Sequence, residues 1–257
     1  MSIYSLISKK SIVAGVLCFL AFFSSCASHK PRVRGGAMAR LQLGVTHLQQ
    51  GNASKALAEF FEGEKIEPRN TKIKNAIGLA YMKMGNFDIA EGYLKKAIEI
   101  DPEYSEAYNN LGLLYSFSGE SAKAVANYKK ALENVIYPTP ERAYNNLGVE
   151  YEKLGYSLKA KDAYNRAISI SPTFPVPLFN LGRVYFNEGS NEKALIYFKK
   201  AVSLNQGYVS AYFQIGKVYL KLKDYERALE TFRKVEKMST TEEVRSMAKD
   251  YIDLIEK

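Results

Sequence analysis

Ala143-Tyr144-Asn145-Asn146-Leu147-Gly148 repeats, residue for residue, Ala107-Tyr108-Asn109-Asn110-Leu111-Gly112. Looser versions stand at Leu178-Phe179-Asn180-Leu181-Gly182 and at Ala211-Tyr212-Phe213-Gln214-Ile215-Gly216. The glycines that close the phrase are Gly44, Gly78, Gly112, Gly148, Gly182 and Gly216, so neighbours are 34, 34, 36, 34 and 34 residues apart. Ala56, Ala90, Ala124, Ala160, Ala194 and Ala228 keep the same steps. Two residue types holding one period over six copies mark a repeat array, in which each unit buries its apolar face only by stacking on its neighbours. That overrides the reading of 257 residues as one or two globular domains. A solenoid grows by stacking and needs no single large core.

The formal net charge of +9 raises the question of nucleic acid or an anionic surface. Lys and Arg are spread over every unit and mixed with Glu and Asp. No basic run interleaved with aromatics and no nucleic-acid motif is visible, so a mildly basic solvated surface is expected and no nucleic-acid partner.

Residues 1–25 read as an export signal. Lys9 and Lys10 supply a positive start, an apolar stretch runs from Ser11 to Phe23, and Ser24, Ser25 and Cys26 follow. The stretch is short of the roughly 20 residues of a membrane span. Phe23-Ser24-Ser25-Cys26 resembles the bacterial lipoprotein signal, in which a lipidated Cys becomes the first mature residue, although Phe23 stands where Leu is usual. The alternative is an ordinary signal peptide with a coincidental cysteine. Cys18 lies inside the signal, which leaves Cys26 alone and excludes an intramolecular disulfide in the mature chain. Losing Lys9 and Lys10 takes the charge from +9 to +7. Ala27 follows the cysteine instead of the Asp associated with inner-membrane retention, so the expected address is the outer membrane, lipid-anchored and facing the periplasm. Residues 26–36 form a short basic tether whose last ten residues reach roughly 33 Å at most. Its Lys30, Arg32 and Arg34 suit either anionic headgroups or plain solubility.

Each unit reads as helix, turn, helix, turn. Tyr144, Leu147, Gly148 and Tyr151 fall on one helical face, and Gly155 offers the positive φ of a tight turn. Ala160, Tyr164 and Ala167 follow at helical spacing, and Pro172 ends the unit. Small residues at 148 and 160 allow close approach of the two helices. This resembles the tetratricopeptide repeat, with Tyr at the usual Trp position. The resemblance implies an all-α, right-handed superhelical solenoid. Six units are expected over 37–257: about 37–70, 71–104, 105–138, 141–174, 175–208 and 209–237, then a cap helix at about 240–256. The sixth unit has Lys223 for the turn glycine and Val235 for an alanine; the first has His47 for Tyr and Gly63 for Ala. The cap is expected to start with a capping box at Thr240 and Glu243 and to bury Val244, Met247, Ala248, Tyr251, Leu254 and Ile255.

No catalytic constellation is legible, and neither a cofactor nor a metal nor a small-molecule substrate is expected. His29 sits in the tether and His47 on a packing face. The Asp and Glu residues accompany Lys on helix faces, as solvated pairs do. The informative polar residues lie in the phrase itself. Asn75, Asn109 and Asn145 form one column. Asn110, Asn146 and Asn180 form a second, which Gln42 and Gln214 extend. On the first helix of each unit, which lines the groove in tetratricopeptide arrays, such columns resemble the asparagine ladders that hold an extended peptide backbone. They suit equally a role in fixing the helices or solvating the groove. Phe117, Phe179, Phe186 and Phe213, with Arg183 and Lys217, are expected on or near the inner surface, where they fit an apolar, partly acidic partner. Packing between units is the alternative for the phenylalanines.

The 36-residue step contains Ala131-Leu132-Glu133-Asn134-Val135-Ile136-Tyr137-Pro138 ahead of Arg142 and the phrase. This run, with the lipoprotein signal, six units and total length, resembles the type IV pilus pilotin lipoproteins. The resemblance implies a non-enzymatic scaffold that binds the pilus secretin and promotes its outer-membrane localisation and multimerisation, with Cys26 as membrane anchor. The rival reading is a periplasmic adaptor that docks cell-wall hydrolases. A third, the regulatory array of a transferase, is disfavoured because no further domain follows the array.

Overall fold

The computed structural model describes residues 36–257. The export signal, Cys26 and nearly all of the tether lie outside them. Among the described residues there are thirteen α-helices and no strand. Six helical hairpins follow one another: α1 (Ala37–Gln49) with α2 (Ala53–Ile66), α3 (Thr71–Lys83) with α4 (Phe87–Ile100), and α5 (Ser105–Phe117) with α6 (Ser121–Ala131). Then come α7 (Pro140–Lys153) with α8 (Ser157–Ile170), α9 (Pro175–Asn187) with α10 (Asn191–Leu204), and α11 (Val209–Lys221) with α12 (Tyr225–Met238). A single helix, α13 (Glu242–Glu256), closes the array. The fold is a tetratricopeptide-type solenoid.

The turn inside each unit follows from one backbone requirement. Gly155 has φ +78°, its N–H donates to the Glu152 carbonyl at 2.9 Å, and the Tyr156 N–H reaches back to the Tyr151 carbonyl at 2.8 Å. These two bonds satisfy carbonyls that the helix end would otherwise leave bare. Unit six makes the same pair of bonds from Lys223 and Asp224, and Lys223 is held at φ +59°, where a side chain is strained. After the second helices of units one, two and four the chain turns extended. Glu67, Asp101 and Ser171, with φ between −130° and −137°, each precede a proline, which excludes the helical region for them.

Packing within a unit rests on the absence of a side chain at the phrase glycine. A Cβ at Gly148 would stand 2.5 Å from Cε1 of Tyr164, so the ring lies flat against the α7 backbone and is fully buried. Phe60, Leu94, Tyr128, Phe198 and Phe232 occupy the same place in the other units, and all are buried. Removing one such side chain from water is worth about 1.5–3 kcal/mol.

Two details depart from the sequence reading. The α13 N-cap is Thr241, with no capping bond from its side chain, so there is no capping box at Thr240 and Glu243. The chain leaves α12 with Ser239 extended, and Ser239 Oγ accepts from the Thr241 N–H at 3.2 Å in its place. The buried face of α13 is Ala248 and Ile252, flanked by Val244, Tyr251 and Ile255, whereas Met247 and Leu254 are exposed. The stripe drawn through Met247 and Leu254 is turned by one position, because Tyr251 stacks on Phe232 at 4.7 Å and fixes the helix's rotation.

Candidate functional site: the inner groove

The first helices of successive units touch one another along the array, and the second helices do not do so comparably. The first helices therefore lie on the shorter, inner arc and line the groove. Immediately after the phrase glycines, one side chain per unit lies half-buried on this surface: Val45, Leu79, Leu113, Val149, Arg183 and Lys217. The groove is thus aliphatic through four units and cationic in the last two. Arg183 Nη2 lies 3.4 Å from Glu152 Oε1, and Lys217 Nζ sits 5.3 Å from the Phe186 ring centroid. Glu152 also accepts from the Tyr164 hydroxyl at 2.6 Å. Burial first, then the hydrogen bond and charge of Glu152, hold that hydroxyl far above the usual tyrosine range. The groove surface is therefore apolar over its first four units and carries two cations over the last two.

The asparagines are brought together, but not as two parallel columns. Asn110 Nδ2 donates to Asn75 Oδ1 at 2.8 Å, Asn146 Nδ2 to Asn109 Oδ1 at 3.2 Å, and Asn180 Nδ2 to Asn145 Oδ1 at 3.0 Å. Each rung joins the second column of one unit to the first column of the unit before. Asn75, Asn145 and Asn180 are buried, while Asn109, Asn110 and Asn146 are half-buried. Asn145 Nδ2 also donates to Asn146 Oδ1 at 3.5 Å, which links two rungs, and the Asn110–Asn75 rung leaves an amide oxygen on Asn110 and an NH2 on Asn75 for further bonds. Gln42 is exposed and Gln214 half-buried. Neither carries a rung: Gln42 stands in the first unit of the described residues, and Gln214 faces a unit whose first-column residue is Phe179.

Among the four phenylalanines, Phe179 and Phe213 pack between helices. Phe179 lies 5.7 Å from Phe198 and 5.0 Å from Tyr208, and Phe213 lies 5.5 Å from Phe232. Phe213 is buried and unavailable to a partner. Phe186 lies beneath Lys217, and Phe117 is 65% exposed at the end of α5, stacked on Phe87.

Sequence reasoning missed one polar cluster. Glu150 is fully buried on α7, bonded to Ser116 and to Lys153 Nζ at 2.6 Å, with Oε2 lacking a partner. Burial alone would raise its pKa, but hydrogen bonds from Lys153, Ser116 and Ser121 and the Lys153 charge hold it below the usual carboxylate range. The signal was available: the equivalent positions hold Thr46, Ala80, Leu114, Val184 and Val218, so Glu150 is the single charged residue of an uncharged column. Among the described residues, no group of three or more His, Cys, Asp and Glu is placed to hold a metal, and no helix is long and apolar enough to cross a membrane.

Family models described as tetratricopeptide repeat match residues 71–135 and 141–174. A model described as regulator of microtubule dynamics protein 1-3 matches residues 184–257. No curated protein matches the sequence. Among solved structures, the chain is similar to PilW, a widely conserved type IV pilus biogenesis factor: TM-score 0.74, 24% identity, 82% of this chain and 97% of that one. It is similar to PilF of Pseudomonas aeruginosa with TM-score 0.73 and 16% identity, over 83% of this chain and 96% of that one. A tetratricopeptide repeat protein of Parabacteroides merdae aligns with TM-score 0.64 and 22% identity, over 99% of this chain and 96% of the other.

Proposed function

We propose that this chain is an outer-membrane lipoprotein scaffold, anchored through Cys26 and facing the periplasm, that binds the type IV pilus secretin and promotes its localisation and multimerisation. The observation that carries the reading is the 131–140 connection. In an otherwise regular array, α6 ends at Ala131 after 11 residues, three fewer than the second helix of every other unit. The connection is built and not slack: Tyr137 is buried beside Ala131 and Ala143, and Asn134 Nδ2 donates to the Glu103 carbonyl at 2.9 Å. The match in extent to PilW, a type IV pilus biogenesis factor, supports the same reading. The groove serves as the client's seat, with Asn109, Asn110, Asn146 and Gln214 offering amide groups and Arg183 and Lys217 offering charge. Binding and holding are all the role requires, so no residue is assigned to catalysis.

The test is the state of the secretin in cells lacking this protein. Outer-membrane fractions are run without boiling, beside cells complemented with wild type or Cys26→Ala. Loss of the multimer in the deletion, with proper location restored by wild type alone, supports the pilotin reading and the anchor. A multimer that forms and localises normally in the deletion refutes it and leaves the cell-wall hydrolase adaptor.

A further inference from the structure

In two units the tyrosine near the end of the first helix is covered by a second tyrosine from the following helix. Tyr185 and Tyr197 stack at 5.4 Å with planes 12° apart, and Tyr81 and Tyr93 stack at 6.0 Å and 22°. Units three, four and six keep the first tyrosine, as Tyr115, Tyr151 and Tyr219, with Asn127, Ala163 and Thr231 where Tyr93 and Tyr197 stand; Ala163 of unit four is the smallest of the three. The room that those rings fill elsewhere is here an open cleft of about 480 Å³ on the outer side of the array, with Tyr144, Leu147 and Tyr151 along its floor. One wall carries Leu158, 79% exposed; the other is the truncated end of α6 at Leu132. The volume falls within the range of sites that take small ligands and side chains.

Charge distinguishes the cleft from a simple packing gap. Lys129 and Lys159 border it on opposite sides, and among the described residues neither reaches a carboxylate within 4.0 Å. Lys159 Nζ lies 5.7 Å from the Tyr151 ring centroid and 4.8 Å from that of Tyr156. The one acidic group in the lining, Asp162, is already paired with Arg166 at 3.0 Å.

We infer that this cleft is a second protein-binding site, which receives an aromatic side chain of a partner segment flanked by acidic residues. The incoming ring takes the place that Tyr93 and Tyr197 hold in their own units and stacks on Tyr151, and the flanking carboxylates meet Lys129 and Lys159. An offset stacked aromatic pair gains more than its buried area alone supplies. A single ring entering a shaped, cation-bordered cleft is the usual form of an interface anchor. The inference rests on the client-binding reading only in taking the partner to be a protein.

The experiment uses the full chain in detergent and a fluorescently labelled synthetic peptide with one Phe between pairs of Asp, followed by anisotropy. Wild type is expected to bind. Ala163→Tyr, which fills the cleft from within as two other units do, is expected to weaken binding roughly tenfold or more, the scale of burying one Phe side chain. Replacing the peptide's Phe by Ala should cost a similar factor. Lys129→Glu with Lys159→Glu, both exposed, provides an independent readout should Ala163→Tyr fail to fold. Arg183→Glu with Lys217→Glu in the groove should leave this peptide's affinity unchanged. Absence of binding by wild type, undiminished binding by Ala163→Tyr that retains wild-type unfolding behaviour, or loss only in the groove variant each overturns the inference. These outcomes are separate from secretin assembly: a peptide that ignores the cleft while the secretin multimer still depends on the protein defeats this site alone.

Discussion

Gly148→Ala tests the packing rule on which every unit depends. The added Cβ would stand 2.5, 2.7 and 2.9 Å from Cε1, Cδ1 and Cζ of Tyr164, against about 3.4 Å for ordinary contact. The ring would have to retreat by about 0.9 Å. It is fully buried and its hydroxyl is tied to Glu152 at 2.6 Å, so the strain passes into the pairing of α7 with α8. Overpacking of this kind costs roughly 1–3 kcal/mol, and the better helix propensity of Ala returns about 1 kcal/mol. With the upper figure for so confined a ring, the net loss is about 2 kcal/mol. For a chain of this size that lowers the melting midpoint by roughly 4–8 °C. Gly92, exposed on α4 with no atom within 4 Å of its would-be Cβ, supplies the control. There Ala has only the propensity gain, and the midpoint should rise by roughly 2–4 °C. Thermal unfolding followed by circular dichroism reads both. A Gly148→Ala protein that melts at or above wild type would refute the close-approach argument.

Asn145→Ala removes the acceptor of a buried rung and strands Asn180 Nδ2, at a cost of about 1–3 kcal/mol, measurable as a lower urea midpoint. Unchanged stability would show that the rung contributes nothing to the fold. Glu150 makes stability acid-sensitive. Its folded pKa is held below its unfolded value of about 4.3, so its contribution is complete above that value and is lost as pH falls through the folded pKa. Glu150→Gln should flatten the acid limb of a stability–pH profile, and an identical limb would assign the sensitivity elsewhere. Lys223→Gly should relieve a side chain from left-handed backbone and raise stability by about 1 kcal/mol. A fall in the unfolding midpoint would mean that Lys223 is held by contacts worth more than the strain.

The period made the helical hairpins and their order legible, because the glycine and alanine columns report backbone and close-approach requirements that no other residue meets as cheaply. Lys223 was legible as a substitution in the glycine column, and the structure shows the turn overriding it. The pairing of the asparagines was hidden by the same method. Aligning units places equivalent residues in columns, whereas the rungs join non-equivalent ones, 35 or 37 residues apart. The outer cleft was invisible for a related reason. Ala163 is unremarkable alone and acquires meaning only when Tyr93 and Tyr197 are known to stack over the equivalents of Tyr151. The capping box failed because three-residue spacing says nothing of the extended Ser239 that precedes it. Arg183 and Lys217 were placed together by the simple fact that the residue after each phrase glycine faces inward.

The amide rungs also set how the solenoid deforms. They tie units two to three, three to four and four to five, and none spans the junctions of units one and two or five and six. Curvature in such an array is the sum of small rotations at each junction; the rungs brace the three central junctions, while Lys74 paired with Glu64 braces the first and the apolar cluster shared by Phe198 and Phe213 braces the last. The aliphatic side chains Leu79, Leu113 and Val149 lie on the span that the rungs brace. Arg183 and Lys217 straddle the junction of units five and six, which no amide rung spans, so the spacing of the two cations is set by apolar packing instead.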